Sequence, residues 1–168
     1  MQTTSRRNAL ALGAAAAATL GLSRNPAARA AQGSKTGKQA IVLIHGAWQG
    51  GWGWRLATPL LWQAGHPGTS PTLSGMGERR NVPPQDSGLQ VHVQDIVEHL
   101  EMQDLRNVVL VGHSYGGCVL SGVLARNTGR VAHAVYLDAY VPQRGQALKG
   151  LLPSAEQAEL DAVAAAGA

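Results

Sequence analysis

The chain has 168 residues, one cysteine and a formal charge of +4, with a pI near 9.7. Arg6, Arg7, Arg24 and Arg29 all lie before residue 31; without them the 10 remaining Lys and Arg balance the 10 Asp and Glu. The basicity belongs to the leader, so a nucleic-acid module is disfavoured, and the lone thiol Cys118 excludes an internal disulfide.

Residues 1–30 predict an export signal. The pair Arg6-Arg7 precedes an apolar run from Ala9 to Leu22, and Ala28-Arg29-Ala30 has the small-x-small form of a cleavage site. That run is short of the about 20 residues a spanning helix needs, and it has no polar face to suit a helix of the folded domain. The arginine pair is of the twin-arginine type; Ala9 replaces the usual aromatic residue, which leaves the Sec route open. The expected location is periplasmic or secreted. Residues 31–39 form a polar linker, and the roughly 138 residues that remain after cleavage suffice for one core.

From residue 40 strand and helix periods alternate. AIVLIHG (40–46) predicts a strand buried on both faces. WRLATPLLWQAGH (54–66) predicts a helix with Leu56, Leu60 and Leu61 on its packed face and Gly65 as its stop. GTSPTLSG (68–75) takes the place of a second strand, weakened by Pro71. LQVHVQDIVEHLEM (89–102) sets Val93, Ile96, Val97 and Leu100 on one helical face. NVVLVG (107–112) is a third strand, YGGCVLSGVLARN (115–127) the helix after it, and VAHAVYLDAYVP (131–142) a fourth strand. Ser154-x-x-Gln157 reads as a capping box opening a last helix. The alternation predicts an α/β domain with a parallel sheet, flanking helices and right-handed crossovers.

Gly112-His113-Ser114-Tyr115-Gly116 falls where the third strand meets its helix. The G-x-S-x-G pattern alone is weak, but strand before and helix after give it the context of a nucleophile elbow. Such a turn holds Ser114 in a strained conformation, with glycines at 112 and 116 making room for backbone and Gly117 allowing closer helix–strand approach. The serine then faces the N–H groups of a helix N-terminus, where negative charge is stabilised. A Gly-rich helix cap or a phosphate-binding turn is the alternative. HGAW (45–48) leaves the first strand at the same sheet edge and offers the Ala47 N–H as a second donor beside that of Tyr115. Cys118, behind the elbow, suits a small buried residue.

The segments IVLIHGAWQGGWGWRLATPLLWQAGH, TLSGMGERR, NVVLVGHSYGG and AHAVYLDAYVP together resemble α/β-hydrolases of the methylesterase and hydroxynitrile lyase group and their bacterial esterase relatives. The match covers about residues 40–150. The resemblance implies a truncated α/β-hydrolase fold, with the N-terminal part of the core over 40–144 and the start of a cap region over 145–168. It implies strand order second, first, third, fourth, Ser114 as nucleophile, and the N–H groups of Ala47 and Tyr115 as oxyanion hole. The lyases that this chain resembles carry threonine at the place of Gly46 and often glutamate at that of His113, so both positions favour ester hydrolysis. A serine nucleophile disfavours the related dehalogenases and epoxide hydrolases.

The triad order of this fold is Ser, acid, His, and no histidine follows His133. His133 and His66 fall at the wrong edge of the sheet. His92 and His99, seven apart on one helix, suit an exposed or partly packed face and not a metal pair. His45 and His113 lie at the correct edge and shape the hole and the elbow. Asp138, ending the fourth strand, is either the acid of a variant triad or a cap. Without its base a serine hydrolase loses about 10⁶ in turnover, and AVYLDAYV becomes a bare apolar edge. The expectation is a truncated frame or a fragment, inactive or nearly so by itself.

The function expected for the complete machinery is hydrolysis of small carboxylic esters through an acyl-enzyme. A non-catalytic ligand-binding remnant comes second and a hydroxynitrile lyase third. His45, Gly46 and Trp48 are expected at the substrate, with Trp52 and Trp54 beside it or packed under the first loop. Arg79 and Arg80 are placed in a loop beside the entrance. No cofactor, metal, nucleic acid or membrane anchor after leader cleavage is expected; the oligomeric state is open.

Overall fold

The computed structural model describes residues 38–126 and 128–165; the expected export signal and most of the linker lie outside them. Strands β1 (Ile41–Ile44), β2 (Gly68–Thr69), β3 (Val108–Ser114) and β4 (Val131–Ala139) form one parallel sheet in the order β2-β1-β3-β4. This is the α/β class and the strand order expected. Both central strands are runs of β-branched and leucine side chains, the composition that suits a sheet covered on two faces. The chain leaves β1 toward one edge and β3 toward the other, which opens a crevice at their carboxyl ends.

The α-helices among the described residues are α1 (Ala57–Gln63), α2 (Leu89–Met102) and α3 (Gly116–Ala125), which flank the sheet, and α4 (Ser154–Ala165) near the C-terminal end of the chain. The core lies where α2 and α3 meet β1 and β3, and Val42, Ile44, Ile96, Leu100, Leu110, Val119, Leu120 and Val123 are fully buried in it. Each such side chain contributes about 1.5–3 kcal/mol by leaving water. The apolar stripe of α2 is the expected one, and Cys118 is buried as expected.

Several elements depart from expectation. Leu56 and Leu60 are 74% and 63% exposed. The seven-residue α1 instead turns Thr58 and Leu61 toward Gly68 of β2, so the helical period is right and its phase is wrong. The second strand has only two residues, because Pro71 lacks the N–H a ladder needs and 72–74 is held by side chains instead. β3 runs on to Ser114, and β4 stops at Ala139. Among the described residues β4 pairs with β3 alone, and Val135, Leu137 and Val141 stand 42–55% exposed. No helix among them is long and apolar enough to cross a membrane.

Candidate active site

Ser114 ends β3 with φ +52 and α3 begins two residues later, so the strand reverses into the helix through one left-handed residue. A non-glycine residue held there costs about 1–3 kcal/mol, which surrounding contacts must offset. Two close approaches set the turn. A Cβ on Gly112 would lie 2.5 Å from the Gly116 carbonyl oxygen, and one on Gly116 would lie 2.8 Å from that of Ile44. Gly117 brings the helix as near to the Tyr140 carbonyl, as the closer approach expected there requires. The Tyr140 N–H donates to the Ser114 carbonyl at 3.1 Å, tying the elbow to the chain leaving β4.

Ser114, Tyr115, Ala47, Trp48 and Tyr140 line one side of a cavity of about 310 Å³. Leu148, Leu152 and Leu160, with the carboxylates of Glu156 and Glu159, close it from the other side. The structure thus brings Ser114, Ala47, Tyr115 and Trp48 together, as the sequence led us to expect. Of the other tryptophans, Trp52 borders a separate open groove with Arg55 and Trp62, and Trp54 packs edge-on against His113 at 6.1 Å.

His45 and Gly46 are corrections, since neither lines the cavity. His45 is fully buried. The Leu73 N–H donates to its Nε2 at 3.1 Å, which leaves Nδ1–H to donate to the Gly46 carbonyl at 2.7 Å. That carbonyl belongs to the peptide whose other end is the Ala47 N–H. In a planar trans peptide the two point oppositely, so holding the carbonyl aims the N–H. Gly46 is pressed on the elbow, where an added Cβ would lie 3.2 Å from the Ser114 Cβ.

His92 is also a correction: it is 4% exposed, where an exposed or partly packed face was expected. Its Nδ1 lies 2.7 Å from the Tyr115 hydroxyl and its Nε2 lies 2.8 Å from the Ser74 carbonyl oxygen. Sequence reasoning missed this contact, although His92, Val93, Ile96 and Leu100 share the helical spacing of one buried stripe. Burial pushes the imidazoles of His45, His92 and His99 below the ordinary histidine range, and it pushes the Tyr115 phenol up.

Arg79 is a brace between loops. Its guanidinium donates to Asp95 at 3.0 Å and to the Thr72 carbonyl at 2.9 Å, and Asp95 accepts from the Ser74 N–H and hydroxyl. Arg80 stays exposed. Asp138 is exposed on β4 and does not line the cavity. The ladder skips it, pairing Ser114 with Ala139, and it takes φ +43 in the resulting bulge. The ring nitrogens of His45, His66, His92 and His99 bond to groups other than Ser114, and His133 lies exposed on β4. Among the described residues no group of three or more His, Cys, Asp or Glu is placed to hold a metal ion.

A serine strained at a strand–helix elbow, beside a strand-end loop at the switch of a parallel sheet, defines the α/β-hydrolase architecture. Residues 41–167 match the model of the alpha/beta hydrolase family, and the chain belongs to it. It is 43% identical over 122 residues to the carbendazim hydrolyzing esterase of Nocardioides sp. (strain SG-4G), covering 73% of this chain and 50% of that one. Salicylic acid-binding protein 2 of Nicotiana tabacum is 35% identical over 109 residues, 64% of this chain and 42% of that one. An extracellular alpha/beta-hydrolase from a Paenibacillus species superposes with a TM-score of 0.71 at 26% identity, covering 77% of this chain and 52% of the other. The resemblance to the methylesterase group therefore holds, and the chain spans about half the length of the curated relatives it matches.

Proposed function

We propose that the protein hydrolyses small carboxylic esters, with Ser114 as nucleophile and the N–H groups of Ala47 and Tyr115 as oxyanion hole. One observation carries the reading: Ser114, strained at φ +52, opens onto the same cavity as Ala47 and Tyr115. Attack of its oxygen on the ester carbonyl moves negative charge onto the carbonyl oxygen, where each donor supplies about 3–4 kcal/mol. Expulsion of the alcohol leaves an acyl-serine, which water then hydrolyses. The leucines, Trp48 and Tyr140 around the cavity favour an apolar acyl or alcohol part. Gly46 and His113, in place of the lyases' threonine and glutamate, favour hydrolysis over cyanohydrin cleavage.

The proton of Ser114 needs an acceptor. We propose that a histidine oriented by an acid accepts it, and that neither is among the described residues that line the cavity. We also propose a location outside the cytoplasm, a reading that the leader motif supports. The test uses the protein as its host makes it, with its intact mass measured in the exported fraction. Fluorophosphonate labelling and p-nitrophenyl ester turnover are both expected, and both are expected to vanish in Ser114→Ala. Labelling that survives Ser114→Ala refutes the nucleophile. Ester binding without turnover marks a non-catalytic remnant, and cyanide release from a cyanohydrin marks a lyase.

A further inference from the structure

We propose that His92 is a positioning residue for the oxyanion hole, locking Tyr115 through its hydroxyl so that the Tyr115 N–H is held against the same segment that aims Ala47. The inference rests on the esterase reading above and deepens it.

The hydrogen bonds fix the form of the ring. The Ser74 carbonyl can only accept, so Nε2 of His92 carries the proton, and the Nδ1 lone pair accepts from the Tyr115 hydroxyl. The two rings meet edge to face, with centroids 5.7 Å apart and planes at 86°. Filling the space beneath the elbow requires only an apolar side chain. The hydroxyl adds direction, because a neutral imidazole buried in α2 offers it one lone pair at one place. Tyr115 follows Ser114 directly, so fixing its side chain fixes the peptide that carries the proposed donor.

The second donor is tied to the same place. His45, holding the Gly46–Ala47 peptide, accepts from the N–H of Leu73, and His92, holding Tyr115, donates to the carbonyl of Ser74. Two adjacent residues thus index both halves of the hole. Their segment is clamped from behind by Asp95 and Arg79, and Thr72 is bonded to Glu78 and to the N–H of Gly51. The spacing of the donors is set by this frame as well as by the turn at Ser114.

The test compares Tyr115→Phe, His92→Gln and the double variant in the host-made protein, with active molecules counted by complete fluorophosphonate titration. Each single variant is expected to lower kcat per titrated site about tenfold while KM stays within about twofold, a fraction of the loss from deleting a donor outright. The double variant is expected to match Tyr115→Phe, because one bond is lost in both. A purely structural role would instead lower the melting temperature and the titrated fraction and leave kcat per site unchanged. That result, or effects that multiply in the double variant, overturns the inference while the esterase reading stands. Turnover that is absent in the unmodified protein, or that survives Ser114→Ala, overturns the esterase reading and with it the assigned role. The tautomer is checked independently of activity. The nitrogen-15 spectrum of His92 is expected to show a proton on Nε2 only, and a proton on Nδ1 overturns the lock.

Discussion

Gly116→Ala tests whether the close approach of α3 to β1 holds the site together. The added methyl would lie 2.8 Å from the Ile44 carbonyl oxygen and 2.9 Å from that of His45, where ordinary contact begins near 3.4 Å. Both obstacles are backbone, so neither can rotate aside, and the helix must retreat by about half an ångström. Overpacking of this kind costs about 1–3 kcal/mol, and alanine returns up to about 1 kcal/mol of helix propensity. We expect a net loss of about 1–2 kcal/mol in urea unfolding followed by tryptophan fluorescence. The same retreat parts the Tyr115 N–H from the Ala47 N–H, so fluorophosphonate labelling of Ser114 should slow about tenfold. Gly150→Ala serves as control, since an added Cβ there meets nothing within 4 Å. If the two variants agree within about 0.5 kcal/mol and label at equal rates, the close approach does not position the site and the reasoning fails.

The three buried imidazoles predict a direction for pH dependence. His45, His92 and His99 are each lowered, mainly by desolvation, from an ordinary value of 6.5. Below that pH the unfolded chain therefore binds protons that the folded chain refuses. Stability should be full above pH 6.5 and fall as the pH drops toward the folded values; an equal or higher urea midpoint at pH 5 than at pH 8 would contradict this. Ser114→Gly removes a side chain from a left-handed conformation, and the relief outweighs the added freedom of the unfolded chain. It should raise stability by about 0.5–1 kcal/mol while abolishing labelling, and a loss of stability would show that Ser114 is not strained. Glu156 and Glu159 make the far wall of the cavity negative. Replacing both with glutamine should raise kcat/KM for an anionic ester severalfold relative to a neutral one, and an unchanged ratio would place those carboxylates away from bound substrate.

What the sequence revealed and what it hid have separable causes. The central strands and the elbow were legible because their signals are local: continuous β-branched runs, and a serine among glycines between a strand period and a helix period. The phase of α1 was not, because seven residues make two turns, too few to choose between a Leu56–Leu60 face and a Thr58–Leu61 face. Asp138 was open between the acid of a variant triad and a cap; a bulge of one residue leaves it exposed, and bulges leave no mark on a short apolar run. His45 was placed rightly near the hole and wrongly at the substrate, since only the partners of its two nitrogens tell those roles apart. His92 lay in plain sight on the apolar stripe of α2. Its significance needed Tyr115 and Ser74, both about 20 residues away in sequence and brought together by folding.

The pairing of Ile41 with Val109 spans 68 positions of chain, and among the described residues the only shorter strand pairing of β1 is with the two residues of β2. On a ribosome adding about 5–20 residues per second, IVLI emerges roughly 3–14 s before the strand it must join. Closing so long a loop comes before any reward from burial, which makes this zipping step the natural bottleneck of folding. For those seconds β2 can pair only with Ile41 and Val42, and Leu43 and Ile44 wait for β3, an apolar pair of residues open to a chaperone until the sheet closes.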